Sequence, residues 1–249
     1  MNTPSLRLSC AFLLALTLVS PLARAATITW GSPTDITGNS DVSTNGSLVG
    51  AFNVGTTGVS ATTVNGVNFQ SFAVSPGGGT VGNFAITPAG VLSFGNTAFG
   101  SAAPPFSTLS PEYQTLLAAA TSSGSPFTLT ISGLIVGMQY EFQWWANLSR
   151  ADSLPFGQHS ATAGNPVTLS DNVSMTEGGL GQFAIGAFTA DAATQSIIFS
   201  GPSFGLLNGF QLRQTGPAGV PENGSTLVLF ALALGALALV RCRRTVAKG

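Results

Sequence analysis

Chemistry needs titratable or nucleophilic side chains, and this chain of 249 residues is sparing with them: one histidine, two cysteines, nine carboxylates and eight basic residues. Within the body the most functional-looking stretch is Asn147-Leu-Ser-Arg-Ala-Asp-Ser-Leu-Pro-Phe-Gly-Gln-His159, which holds the only histidine and one of two arginines, near Trp144-Trp145. Trp145, Arg150, Asp152 and His159 are therefore the candidate ligand-binding residues. An exposed indole can act as a stacking plate for a sugar, with Asp, Asn or Arg hydrogen-bonding its hydroxyls. The same stretch equally suits a connecting loop in which Arg150 pairs with Asp152 or Glu141 and the tryptophans lie in the core.

The rest of the inventory speaks against catalysis. With one histidine and no cysteine between Ala26 and Ser225 there is no zinc-type cluster, and a histidine-containing triad would have to use His159. No nucleophile elbow and no phosphate loop is present. Glycoside hydrolysis needs two carboxylates about 5 to 9.5 Å apart. Asp35, Asp41, Glu112, Glu141, Asp152, Asp171, Glu177, Asp191 and Glu222 include no recognisable local pair. Hence no catalytic residue, cofactor or metal is expected. Asp35, Asn39 and Asp41 could lend oxygens to Ca2+, but their spacing lacks a full acidic loop and suits turn capping better. Glycosylation sequons at Asn45, Asn147, Asn172 and Asn223 are common by chance in a chain rich in Ser and Thr.

Charge narrows the classes further. Arg7, Arg24, Arg241, Arg243, Arg244 and Lys248 all belong to the ends, so the middle keeps only Arg150 and Arg213 against nine acids, a formal charge of −7. That excludes a basic nucleic-acid binder. Charged residues make up 7% of the chain, against about 25% in an ordinary globular domain. The surface must draw its polarity from Ser, Thr, Asn, Gln and Gly.

The elements that must position these residues read as β-strands. Between Ala26 and Ala218, short runs of Thr, Val, Ile and Phe alternate with Gly, Asn, Pro and Ser, which predicts an all-β sandwich or jelly roll with one short helix. Strands are expected at 27–30, 48–54, 62–68 running into 70–74, 81–86, 91–94, 127–132, 139–146, 167–170, 181–188, 195–200 and 207–214. In the clearest, Phe127, Leu129 and Ile131 alternate with Thr128, Thr130 and Ser132, the period-2 pattern of a half-buried strand. In the next, Tyr140, Phe142 and Trp144 share a face, which leaves Trp145 on the other side; either it covers a second surface or a bulge shifts the register. Ser110-Pro111 opens a helix to Ala120, with an N-cap serine and Pro at the first helical position, expected over an open end of the sandwich. No disulfide can staple this body, so its stability must come from a hydrophobic core, for which about 190 residues suffice.

The ends read as addresses. Arg7, the apolar run Leu8 to Val19, Pro21 and the small-x-small site Ala23-Arg24-Ala25 form a secretory signal peptide, residues 1–25, with signal peptidase as its partner. At the other end Val220-Pro-Glu-Asn-Gly-Ser225 precedes fifteen uncharged residues, Thr226 to Val240, and the cluster Arg241, Arg243, Arg244. As a helix at about 1.5 Å per residue the run covers roughly 22 Å, a marginal membrane span against a hydrocarbon core of about 30 Å. The basic cluster should stay cytoplasmic and the body outside.

That three-part order resembles the C-terminal sorting signal of the PEP-CTERM group of bacterial proteins, nearest the variant whose motif begins Val-Pro-Asp-Ser-Gly or Val-Pro-Asp-Gly-Gly. The resemblance implies recognition by exosortase, a membrane enzyme with a catalytic cysteine, in a bacterium that makes exopolysaccharide. On the match, Val220, Pro221, Glu222, Gly224 and Ser225 are recognition positions. Glu222 stands in place of Asp, and Asn223 where the commonest motif has its second Pro, so the enzyme subtype stays open. Phe127 to Trp145, Gly186 to Gln195 and Leu207 to Arg213 also resemble ectodomains attached to such signals, loosely similar to carbohydrate-binding modules. The expected organisation is signal peptide 1–25, sandwich 26–214, linker 215–219, sorting segment 220–244 and tail 245–249. The expected protein is exported through the inner membrane, anchored transiently, and then released to the envelope or extracellular matrix. Its body would be a non-catalytic module for extracellular polysaccharide; a self-associating matrix protein and a glycoside hydrolase are the rivals.

Overall fold

The computed structural model describes residues 26–87, 92–95, 97–150 and 157–217. The expected signal peptide with Ala23 and Ala25, the expected sorting segment from Val220 to Arg244, and Asp152 lie outside the described residues.

Two sheets pack face to face. The larger runs Thr29–Trp30, Gln182–Thr189, Met138–Ala146, Gly209–Pro217, Ser47–Gly55, Val67–Ala73, Thr62–Val64, with Thr34–Asp35 also paired to Gln182–Thr189. The smaller runs Asn165–Ser170, Gln158–Ala163, Thr194–Ser200, Phe127–Ser132, Phe84–Thr87, Gly79–Val81. A third sheet, Gly205–Leu207, Ala120–Ser123 and Leu92–Phe94, supplies Ala120, Leu206 and Leu207 to the same core. The pairings are antiparallel except between Ser47–Gly55 and Val67–Ala73. Such sheets, built from hairpins, alternate inward apolar with outward polar residues.

Phe127–Ser132 follows that rule: its apolar residues are buried and its Thr and Ser half-buried, and it is paired on both sides. Across the gap, Phe52 meets Phe84 at 4.8 Å and Trp144 meets Phe199 edge-on at 5.2 Å, so aromatic rings from both sheets fill the layer. At about 1.5–3 kcal/mol per fully buried large side chain, this layer stabilises a body that has no disulfide.

A second core lies on the outer face of the larger sheet. The helix Pro111–Ala118 is capped by the Ser110 hydroxyl, which accepts from the Tyr113 N–H at 3.2 Å. It buries Tyr113, Leu116 and Leu117 against Phe69, Trp145 and Phe183. The expected helix is thus present, but it covers a sheet face rather than an open end, because Trp145 points outward and supplies the apolar surface it needs. Among the described residues no helix is long and apolar enough to cross a membrane.

Several expected boundaries shift for local reasons. The run 62–74 is a hairpin, Thr62–Val64 and Val67–Ala73, turned by Asn65 and Gly66, both at positive φ. Thr121, Ser122 and Ser123 form a strand although they carry no apolar bulk. The final strand reaches Pro217, so the linker expected at 215–219 does not begin at 215.

Candidate functional site

Of the four residues singled out by type, the three described ones, Trp145, Arg150 and His159, do not form one surface. Trp145 is fully buried: it packs edge-on against Phe69 at 5.6 Å, and its Nε1–H donates to the Tyr113 hydroxyl at 2.9 Å. That hydroxyl donates in turn to Asp41 Oδ2 at 3.1 Å. Burial, reinforced by the nearby Asp41 charge, holds the Tyr113 phenol well above its ordinary range. Trp145 is a beam between sheet and helix, not a stacking plate; the correction follows from its outward direction under a helix.

His159 lies not in a loop but in the strand Gln158–Ala163, and it is buried. Its Nδ1 faces the Phe204 carbonyl at 2.9 Å and its Nε2 faces Asp171 Oδ2 at 2.9 Å. A carbonyl only accepts, so Nδ1 carries a hydrogen, and one further hydrogen lies between Nε2 and the carboxyl. Asp171 Oδ1 accepts from the Gly157 N–H at 2.9 Å, and its carbonyl accepts from the Leu148 N–H at 2.7 Å. One aspartate therefore ties both ends of the segment that follows Trp145. Arg150 is half-exposed at its start.

Other candidates are absorbed by structure. Asp41 accepts from the Thr37 hydroxyl, the Thr37 and Gly38 N–H groups and Tyr113; Asp35 accepts from Gln182, and Asn39 from Ser110. Their oxygens serve three separate sets of donors, which is capping rather than Ca2+ ligation. Among the described residues no group of three or more His, Cys, Asp or Glu side chains could hold a metal ion. The sequon residues Asn147 and Asn172 are fully buried. Asn147 takes the Gly181 N–H at 3.0 Å and Asn172 donates to the Leu148 carbonyl at 2.9 Å.

Polar residues also fasten the segment Asp41–Gly46 over the middle of the outer face. Gln143 donates to the Asp41 carbonyl at 2.7 Å, and Arg213 Nε and Nη2 reach the carbonyls of Asn45, Thr44 and Gly46 at 2.6, 3.1 and 2.9 Å. Glu141 accepts from the side chains of Ser43 and Asn45.

With the helix over one part of this face and Asp41–Gly46 over the next, the remaining end stays open. There the pairs Thr29↔Ala187 and Gln139↔Thr189 set hydroxyls and an amide side by side. Strand alternation turns Thr27 and Thr29 outward while Ile28 and Trp30 face inward. The result is a groove of about 310 Å³ walled by Thr27, Thr29, Gln139, Thr189 and Thr215 around Ala187 and Phe188. No charged residue lines it, and the side chains of those four threonines and Gln139 make no hydrogen bond within the described residues.

A larger cleft of about 440 Å³ runs beside the helix, but three of its four polar side chains are engaged. Gln114 donates to the Leu109 carbonyl at 2.7 Å, Thr115 to the Pro111 carbonyl at 2.8 Å, and Ser101 to Glu177. The smaller groove is the candidate site because its donors and acceptors are free. Sequence reasoning missed it: Thr27-Ile-Thr-Trp30 shows the alternation, but only strand pairing brings Gln139, Thr189 and Thr215 beside it.

No protein-family model and no curated protein matches the chain. Among solved structures, the ANX1 ectodomain from Arabidopsis thaliana is similar at 17% identity and a TM-score of 0.41, over 66% of this chain and 41% of that one. This chain thus spans about two fifths of that ectodomain. A structure of carbohydrate-binding modules from the β-sandwich superfamily matches at 11% identity and a TM-score of 0.15, over 74% of this chain and 98% of that one.

Proposed function

We propose that the chain is an exported protein whose β-sandwich is a non-catalytic binding module for polysaccharide. In this reading a signal peptide directs it through the inner membrane, and an exosortase-type sorting signal holds it briefly with the body outside before passing it to the envelope or matrix. The observation that carries the binding role is the open end of the larger sheet, where Thr27, Thr29, Gln139, Thr189 and Thr215 present unengaged neutral donors and acceptors. Neutral hydroxyls and an amide match the hydrogen bonding of an uncharged sugar and give a strongly charged ligand nothing to pair with. The sorting role rests on the motif from Val220 to Ser225, the apolar run and Arg241, Arg243 and Arg244.

The sheet edges weigh against a self-associating matrix protein. In the two packed sheets four edge strands are only two or three residues long, and the longer one, Asn165–Ser170, contains Pro166, which has no N–H to offer a neighbour.

A glycan array probed with the exported chain tests the binding role. Selective retention on a polysaccharide is expected. It should weaken by about tenfold or more, roughly 1.4 kcal/mol, when Thr29→Arg and Thr189→Arg fill the exposed groove, with the thermal midpoint unchanged. Retention that survives both substitutions would move the site elsewhere, and sugar-independent self-association in sedimentation would favour the matrix reading.

A further inference from the structure

The turn between Phe127–Ser132 and Met138–Ala146 carries two bare aliphatic side chains. Ile135 is 54% exposed and Val136 60% exposed, while Leu134 beside them is buried. A turn tip in water is ordinarily polar, and this one is not.

The tip is also rigid. Gly133 and Gly137 flank it at positive φ, and the Ile135 N–H donates to the Tyr140 hydroxyl at 2.9 Å. Leu134 and Gly137 donate to the carbonyls of Ala193 and Ala190 at 3.0 and 2.8 Å, and Met138 donates to the Ile135 carbonyl at 3.1 Å. An apolar pair held in this way loses little conformational freedom when it is covered.

Its position says what covers it. Met138 pairs with Pro217, the last described residue, so Val136 lies within about 12 Å of the point where the chain leaves the sandwich. Eight residues, Ala218 to Ser225, then precede the apolar run that starts at Thr226, and even fully extended they reach no further than about 30 Å. If that run is inserted in a bilayer, the bare tip belongs to the end of the sandwich nearest the lipid.

We propose that Ile135 and Val136 dock into the headgroup–acyl boundary of the membrane that holds the C-terminal segment, fixing the ectodomain upright on its anchor. The inference rests on the membrane-anchor reading of residues 226–240 given above. Small aliphatic tips add modest affinity of their own, but the anchor supplies a high local concentration, so a weak second contact suffices. Exposed Asp191, on the turn that braces the tip, gives anionic lipid nothing to bind, so the contact is apolar and works on zwitterionic membranes.

The test uses the processed chain from Ala26 to Gly249, with Cys242→Ser, reconstituted in phosphatidylcholine vesicles. A single environment-sensitive label is carried at Val136→Cys or, at a different exposed loop, at Val173→Cys. Flotation with the vesicles, together with blue-shifted emission at position 136 that loses about half its intensity to spin-labelled lipid and no such change at position 173, is the expected result for a tip 5–10 Å into the boundary. Flotation with position 136 still in water overturns the tip contact and leaves the anchor standing. A blue shift that spin-labelled lipid does not quench means a protein partner and overturns it too. Quenching at both positions overturns a defined orientation. Failure to float overturns the anchor, and the tip contact falls with it.

Discussion

The Trp145 indole donates to the Tyr113 hydroxyl across 2.9 Å, and this buried bond ties the larger sheet to the helix Pro111–Ala118. It explains how a tryptophan on the polar-looking side of its strand is accommodated. The side is not solvent; it is a second core.

Tyr113→Phe should therefore cost about 1–3 kcal/mol at neutral pH, because the buried indole N–H loses its acceptor. Alkali gives an independent check. Burial raises the Tyr113 phenol well above its ordinary value of 10.0, so the stability tied to its neutral form is complete below about pH 10. As the pH climbs from there toward the folded-state value, that stability is lost. Urea titrations should show wild type and Tyr113→Phe far apart at neutral pH and converging in alkali.

Asp171 and His159 form a second buried polar joint, at 2.9 Å. Asp171→Ala leaves the imidazole facing an empty position and frees the Gly157 N–H, at a cost of about 3–5 kcal/mol. Hydrogen exchange should quicken first at Gly157, whose amide the Asp171 carboxylate binds, and less at Leu148, whose acceptor is the retained Asp171 backbone carbonyl. Protection unchanged at Gly157 would show that the carboxylate does not hold this segment.

Gly209 stands opposite Trp145 in the sheet, where a Cβ would meet Leu116 Cδ1 at 2.6 Å and the Phe52 carbonyl oxygen at 3.0 Å. Gly209→Ala should destabilise by about 1–3 kcal/mol through overpacking between helix and sheet, read as a lowered midpoint in chemical denaturation.

Much of this body was legible in its residues. Phe127–Ser132 keeps its expected bounds because its alternation is unbroken, and the Ser110-Pro111 start of the helix is visible because capping is local. What stayed hidden depends on distant partners. Gln158–Ala163 is a strand made largely of small and polar residues, so His159 read as part of a loop. Gln143, Gln211 and Arg213 are buried polar residues because they hold backbone from Asp41 to Gly46, a relationship spanning up to 169 positions. The groove is hidden for the same reason, since its threonines come from three separate strands or their flanks and meet only through register.

The most direct test of the binding role is amide chemical-shift mapping of isotope-labelled protein, titrated with an oligosaccharide cut from the polysaccharide it retains. The expected shifts cluster at Thr27, Thr29, Gln139, Ala187, Thr189 and Thr215, with the buried joint at His159 and Asp171 unmoved. Saturating shifts confined to another face would contradict the site, and an absence of shifts with every polysaccharide fragment tried would contradict the binding role itself.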